Sequence, residues 1–199
     1  MNVPGPDYYD TVAAPSFRGT PVYYHYALKF FKPESGASII DLGCGSGGNM
    51  VIFGKKGHPI TGVDFSAALL SIGQRAILRV LPHPKKRANI HFIHSAIEDL
   101  NIHAQFDWAL CTEVLEHVRD PLKILCKARQ FAPSVYVSAP STKVGGPGHV
   151  RGVSSADLTQ WLEDAGYSSI KVFNTPALRL WHGIRADSQT IGIAHNDPR

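Results

Sequence analysis

Ser38-Ile39-Ile40-Asp41-Leu42-Gly43-Cys44-Gly45-Ser46-Gly47-Gly48 is the stretch on which the fold turns. A short apolar run carrying one carboxylate enters a glycine-rich turn. An apolar run of that length bounded by glycines reads as a buried strand. Glycine is the residue that takes positive φ and lets another group approach the backbone. Gly48 to Phe53 then starts a helix that closes at Gly57. Working outward, the alternation repeats. Pro59–Val63 is a second strand ending at Asp64, and Ser66 caps a helix running to about Val80, which Pro82 and Pro84 stop. Ile90–Ile93, Phe106–Cys111 and Ser134–Ala139 are the next three strands. Helical spacing occupies Thr112–Val118 and Pro121–Phe131, and Ser154 starts a further helix that ends at Gly166. Ser169–Phe173 and Gln189–Ile193 have no helical pattern between them, so they are expected as an antiparallel pair. Near-continuous apolar strands alternating with helices make an α/β fold, a mostly parallel seven-stranded sheet covered on both faces. Ligands in such sheets bind beyond the carboxyl ends of the strands.

The remaining chain bounds the answer. Its 199 residues are expected to form a single domain, 1–199, with residues 1–20 as an aperiodic arm and a short helix over Val22–Phe31. A composition of 44% hydrophobic and 18% charged residues excludes a disordered chain. Lys and Arg exceed Asp and Glu by 20 − 16 = 4 with no dense basic stripe, so no nucleic-acid partner is expected. Lys85-Lys86-Arg87, after Pro82 and Pro84, reads as a solvated loop. Cys44, Cys111 and Cys126 are odd in number and match no zinc spacing, which suits reduced thiols and a cytoplasmic setting. No window approaches the length of a membrane span. Nothing in the sequence sets an oligomeric state.

Gly43, Gly45 and Gly48 satisfy G-x-G-x-x-G, a fingerprint for a dinucleotide phosphate. Asp41 argues for a different ligand. A carboxylate at the tip of the strand repels a pyrophosphate and attracts a ligand bearing an ammonium and a sulfonium. Asp64, 21 residues after Gly43, is placed to accept both hydroxyls of a ribose and suits either cofactor. Gly43→Val is expected to abolish binding by filling the space the ligand needs.

Ile39 to Gly47 resembles motif I of the class I S-adenosylmethionine-dependent methyltransferases. Ile60 to Ser66 is similar to their second motif, Ser95 to Leu100 to the segment that meets adenine, and Phe106 to Pro121 to the fourth motif. Gly148-His149-Val150-Arg151 and the helix ending at Tyr167 resemble the C-terminal half. The set covers about residues 35–175 and is of the ubiquinone-pathway O-methyltransferase type. The resemblance implies a Rossmann-like sheet and methyl transfer from S-adenosylmethionine to a small-molecule acceptor, at oxygen. A nicotinamide-dependent oxidoreductase and an RNA 2′-O-methyltransferase-like enzyme stand as alternatives. It further implies that the backbone around Asp41, Gly43, Cys44 and Gly45 holds the methionine part. Asp64 would then bind ribose, Phe65 would pack on adenine, Ala96 and Ile97 would meet the base, and Cys111 and Thr112 would line the floor under the sulfonium.

An oxygen acceptor must lose a proton to a base or to a metal that lowers its pKa. Glu113, Glu116 and His117 fall at i, i+3 and i+4, which on a helix share one face and would hold a divalent cation such as Mg or Zn. The similar segments of ubiquinone-pathway and small-RNA 2′-O-methyltransferases imply that use, and there a histidine after the fifth strand joins in. His149 occupies that place here, in the Val144–Gly152 loop. His117 and His149 are also the candidate general bases. The alternative for the glutamates is a bracing role. Tyr8, Tyr9 and Tyr23-Tyr24-His25-Tyr26 would fold over the cofactor or pack in the core.

Overall fold

A computed structural model describes residues 5–8, 10, 27, 29–141, 148–176, 178–179, 185–186 and 188–196. The core is a seven-stranded sheet. In chain order its strands are β1 (Ile39–Leu42), β2 (Ile60–Asp64), β3 (Ile90–His94), β4 (Trp108–Thr112), β5 (Ser134–Pro140), β6 (Ser169–Asn174) and β7 (Gln189–His195). Their spatial order is β3-β2-β1-β4-β5-β7-β6. Strands β1 to β5 are parallel, and β7 runs antiparallel to both β5 and β6. All seven expected strands form, each within one or two residues of its expected bounds. A two-residue ribbon, Leu178–Arg179 with Arg185–Ala186, lies between β6 and β7 in the chain.

The helices described around the sheet include α1 (Gly48–Lys55), α2 (Ala67–Val80), the single turn α3 (Pro84–Arg87), α4 (Pro121–Phe131) and α5 (Ser155–Asp164). Their starts are set by side chains. Ser66 Oγ accepts from Leu69 N, Asp120 Oδ1 from Lys123 N, and Ser154 Oγ from Asp157 N, each satisfying an amide that the first helical turn leaves unpaired. Strands β1, β2 and β4 are buried along their whole length because both faces are covered. Residues of alternate parity supply two cores. Ile40, Leu42, Ala109, Cys111, Val135 and Val137 pack on one face with Leu125 and Leu158, whereas Ile39, Leu110 and Tyr136 pack on the other with Phe31, Met50 and Phe53.

Two expectations need correction. Thr112–Val118 is not a helix: β4 extends through Thr112, and an irregular turn follows. Glu113 breaks the pattern with φ 56, because its amide still donates to Ser138 O of β5, at 2.8 Å, rather than into a helix. Lys85-Lys86-Arg87 lies in the helical turn α3 and not in a loop, with Pro84 at its start and Arg87 Nη1 donating to Leu81 O. A further expectation, the helix over 22–31, agrees with the structure where it is described: Ala27, Lys29 and Phe30 are helical, while residues 22–26 and 28 lie outside the described residues. No helix among the described residues is long and apolar enough to cross a membrane.

Candidate functional site

The sheet order reverses direction between β1 and β4, and the candidate site sits above their carboxyl ends. The turn after β1 is tied to β2. Gly43 N and Cys44 N both donate to Val63 O, at 2.8 and 2.9 Å, and Gly45 N donates to Asp64 Oδ2 at 2.8 Å. Three consecutive amides are therefore spent inside the protein, and none of them is left to hold a phosphate. A Cβ on Gly45 would meet nothing within 4 Å, so this is where the turn faces open space. A Cβ on Gly43 would instead lie 2.6 Å from Val114 Cγ2. The expected reason for Gly43 is thus corrected: it is demanded by φ +75 and by Val114, not by space kept for a ligand.

Asp41 is wholly buried, with Oδ1 accepting from Asn49 Nδ2 at 3.2 Å and no partner on Oδ2 among the described residues. Asn49 Nδ2 also donates to Thr112 Oγ1 at 3.0 Å. Burial pushes the Asp41 carboxyl up to about 7, against the pull of the Asn49 hydrogen bond, and Asp64 adds to the rise. Asp64 differs in its partners: Oδ1 accepts from Ser66 N and Oδ2 from Gly45 N. Burial raises its pKa while those two amides hold it down. A carboxylate has about four acceptor sites, so two remain for ribose hydroxyls. Ser66 also donates its hydroxyl to Asp10 of the N-terminal arm, whose Oδ1 accepts from Ala68 N at 3.2 Å as well.

The remaining candidates divide by side-chain direction. Cys44 packs into the core against the space above Gly62, and Cys111 is fully buried on the sheet face opposite Thr112, so neither thiol is turned toward the candidate site. Burial raises both thiols, leaving them protonated. Ile97 is also a core residue. Ala96 and Phe65 are half-buried near the end of β3 and β2, where His94 Nε2 lies 3.0 Å from Phe65 O. Asn49 and Asp10 were missed by sequence reasoning, which read Ser66 only as a helix cap and the end of a motif. Asn49 had a signal, a lone amide in the first turn of a helix that is otherwise apolar up to Lys55.

A second cluster lies in the turn after β4. Glu116, His117 and His149 each offer one ligand atom, all within 4.8 Å of one another. The His117 and His149 rings meet edge to face with centroids 4.6 Å apart. His117 Nδ1 lies 3.1 Å from Gly148 O, so Nδ1 carries the proton and Nε2 presents its lone pair. That lone pair faces Glu116 Oε1 at 3.7 Å. Both Glu116 side-chain oxygens are buried and lack a hydrogen-bond partner among the described residues. Burial pushes Glu116 up to about 8, and burial with the neighbouring His149 pushes His117 down to about 4. Both shifts favour the neutral forms over an ion pair. Two electron-rich atoms facing each other call for a proton or a cation between them, and a carbonyl-oriented imidazole beside a carboxylate is a donor set that fits a metal. Glu113 is not part of this cluster; its Oε1 accepts from Ser138 Oγ at 3.5 Å. The loop over 142–147 and Tyr9, Tyr23, Tyr24, His25 and Tyr26 lie outside the described residues.

Comparison with known proteins gives one consistent family. A family model described as "Methyltransferase domain" matches residues 22–172. The ubiquinone biosynthesis O-methyltransferase of Coxiella burnetii (strain RSA 493 / Nine Mile phase I) is 29% identical over 165 residues, which is 70% of this chain and 68% of that one. The enzyme of the same name from Haemophilus ducreyi is 28% identical over 116 residues, 54% of this chain and 47% of that one. Among solved structures, magnesium protoporphyrin IX methyltransferase (ChlM) from Synechocystis PCC 6803 with bound SAH superposes with a TM-score of 0.71 at 16% identity, covering 96% of this chain and 97% of that chain.

Proposed function

This chain belongs to the methyltransferase-domain family, and we propose from that premise that it methylates an oxygen of a small-molecule acceptor. It is a class I S-adenosylmethionine-dependent methyltransferase; the acceptor and the acceptor atom are our reading. The oxygen assignment rests on one observation, the Glu116, His117 and His149 cluster, since a hydroxyl needs help to lose its proton and a sulfonium methyl donor does not supply it. The curated relatives named as O-methyltransferases support the same reading.

For the cofactor, Asp41 and the bare turn at Gly43 and Gly45 would take the methionine part, with Cys44 supplying only main chain. Asp64 would take the ribose, and Phe65, Ala96 and Ile97 would surround the adenine. Thr112 would present its side chain, and Cys111 its backbone, beneath the sulfonium. The chain's contribution is alignment of acceptor, methyl and sulfur, which supplies on the order of 7–11 kcal/mol of barrier reduction.

For the acceptor, Glu116, His117 and His149 would hold a divalent cation. Two imidazoles and one carboxylate suit zinc better than magnesium, which prefers oxygen donors throughout. Bound there, the cation would lower the pKa of the acceptor hydroxyl. His117, neutral above about pH 4 through burial, is ready either to ligate or to accept a proton at Nε2. His149 is the other base candidate, in the same cluster. Glu113, aimed toward Ser138 from its left-handed backbone, is left for the acceptor itself.

The test is a transfer assay with methyl-labelled S-adenosylmethionine against catechols, carboxylic acids, amines and short RNA, each with and without chelator. Label on a hydroxyl of a small molecule, lost in chelator and restored by zinc, is the expected result. Label on an amine or on RNA would overturn the acceptor assignment. Unchanged turnover in chelator together with an active Glu116→Ala enzyme would remove the metal.

A further inference from the structure

One buried polar residue has no part in the roles assigned so far. Asn49 sits in the first turn of α1 with no exposed surface, among apolar neighbours that include Met50 and Phe53. A buried amide in an apolar helix costs stability unless its hydrogen bonds are made. Its Nδ2 makes two, one to Asp41 Oδ1 at 3.2 Å and one to Thr112 Oγ1 at 3.0 Å. Its Oδ1 makes none among the described residues, and neither does Asp41 Oδ2. The orientation is dictated by chemistry, because only the amino end of an amide can face a carboxylate. Asn49 therefore bridges β1 to β4 at the switch point and leaves two buried acceptors short of a donor.

We propose that Asn49 is a positioning residue for the cofactor: it fixes the Asp41 carboxylate between β1 and β4 and holds it in the ionised form that attracts the cationic amino-acid end of S-adenosylmethionine. The inference rests on the cleft above β1 being the cofactor site. Among the described residues the titratable groups whose charge bears on Asp41 or feels it are Asp64 from β2, the Cys44 thiol from the turn and, from the opposite face of β4, the Cys111 thiol. None of them is cationic, and α1 contributes only the neutral Asn49 amide. Asn49 is then the donor that counters the burial of this carboxylate. Its hydrogen bond lowers the Asp41 pKa, which burial has carried up to about 7. Above that pH the carboxylate is charged and affinity for the cofactor is full. Below it, Asp41 takes a proton and affinity falls.

The experiment measures binding of S-adenosylhomocysteine by calorimetry from pH 5.5 to 9 for wild type, Asn49→Leu and Asn49→Asp, with thermal melts of each. Methylthioadenosine, which lacks the amino-acid end, is the control ligand. Wild type should lose affinity as pH falls through the neutral range. Asn49→Leu, similar in size, should bind roughly tenfold or more weakly at pH 7.5, should recover most of that loss at pH 9, and should bind methylthioadenosine as wild type does. Asn49→Asp places a second carboxyl beside the first, so its midpoint should move further upward. A loss of the same factor at every pH and for both ligands marks a merely structural role and overturns the proposal, as does wild-type affinity in both variants. If wild type itself binds S-adenosylhomocysteine at no pH, the cofactor site has been misplaced and the proposal falls with it.

Discussion

Asp41 and Glu116 are both fully buried carboxyl groups at the carboxyl edge of one sheet, and the protein treats them oppositely. Asp41 has a donor, Asn49, and one unpartnered oxygen. Glu116 has no hydrogen-bond partner on either side-chain oxygen among the described residues and faces a histidine lone pair. In the proposed reading the first region receives a ligand that brings its own positive charge. The second is incomplete without a proton or a cation. Charge stabilisation supplied by the fold and charge stabilisation supplied by a guest are thus only one strand apart. The difference shows how a shared cofactor half can be coupled to an acceptor half with its own chemistry.

The contrast can be broken most sharply within the turn itself. Gly43→Val should fail to fold, since a Cβ there overlaps Val114 at positive φ. Gly45→Val should fold with a modest loss, about 1–2 kcal/mol for the left-handed backbone, yet lose cofactor binding because its side chain enters open space. Melting curves and calorimetry on the pair separate the two glycines. A Gly45→Val protein with full affinity would remove the turn from the cofactor site.

The next largest effect concerns Asp41. Its folded pKa lies above the unfolded value of 3.8, so its stability contribution is complete below that value and is lost as pH rises through about 7. Asp41→Asn should therefore melt higher than ligand-free wild type at pH 8, by a few kcal/mol at most, and lose that advantage at pH 4. Calorimetry on the same variant should show cofactor affinity down by at least about tenfold at pH 8. Stability gained with binding lost would identify a carboxylate kept for function.

For the acceptor cluster, zinc should raise the melting temperature of wild type and leave that of Glu116→Leu unmoved. Without metal, Glu116→Leu should be as stable as wild type or more so, because it removes an acid with no hydrogen-bond partner. A metal-induced shift that survives in Glu116→Leu would place the cation elsewhere. The smallest expected effect is at Ser66, where Ser66→Ala removes the α2 cap and the tie to Asp10. A loss of about 1 kcal/mol in denaturant unfolding, with cofactor affinity falling only slightly, would keep the arm out of the binding energy.

The sheet was legible because its strands are buried on both faces and therefore read as continuous apolar runs, and because Ser66 and Ser154 announce their helices by side-chain capping. The segment 112–118 was misread for an equally physical reason. Glu113, Glu116 and His117 carry helical spacing, but spacing does not reveal that the Glu113 amide is claimed by Ser138 across the sheet. Cys44 and Cys111 looked like pocket residues from their place in the motifs. Strand parity and the approach of Gly62 turn their side chains into the core.

The sequence by itself determined the alternation of strands and helices, the glycine turn and the two carboxylates that end β1 and β2, since all of these rest on contacts between residues close along the chain or on burial of whole segments. Only the tertiary structure decided that Asn49 reaches Thr112, 63 residues away, and that His149 meets His117 while Glu113 stands apart. Those pairings depend on strand order, strand parity and loop return, and such long-range geometry leaves no periodic mark in the residues that take part in it.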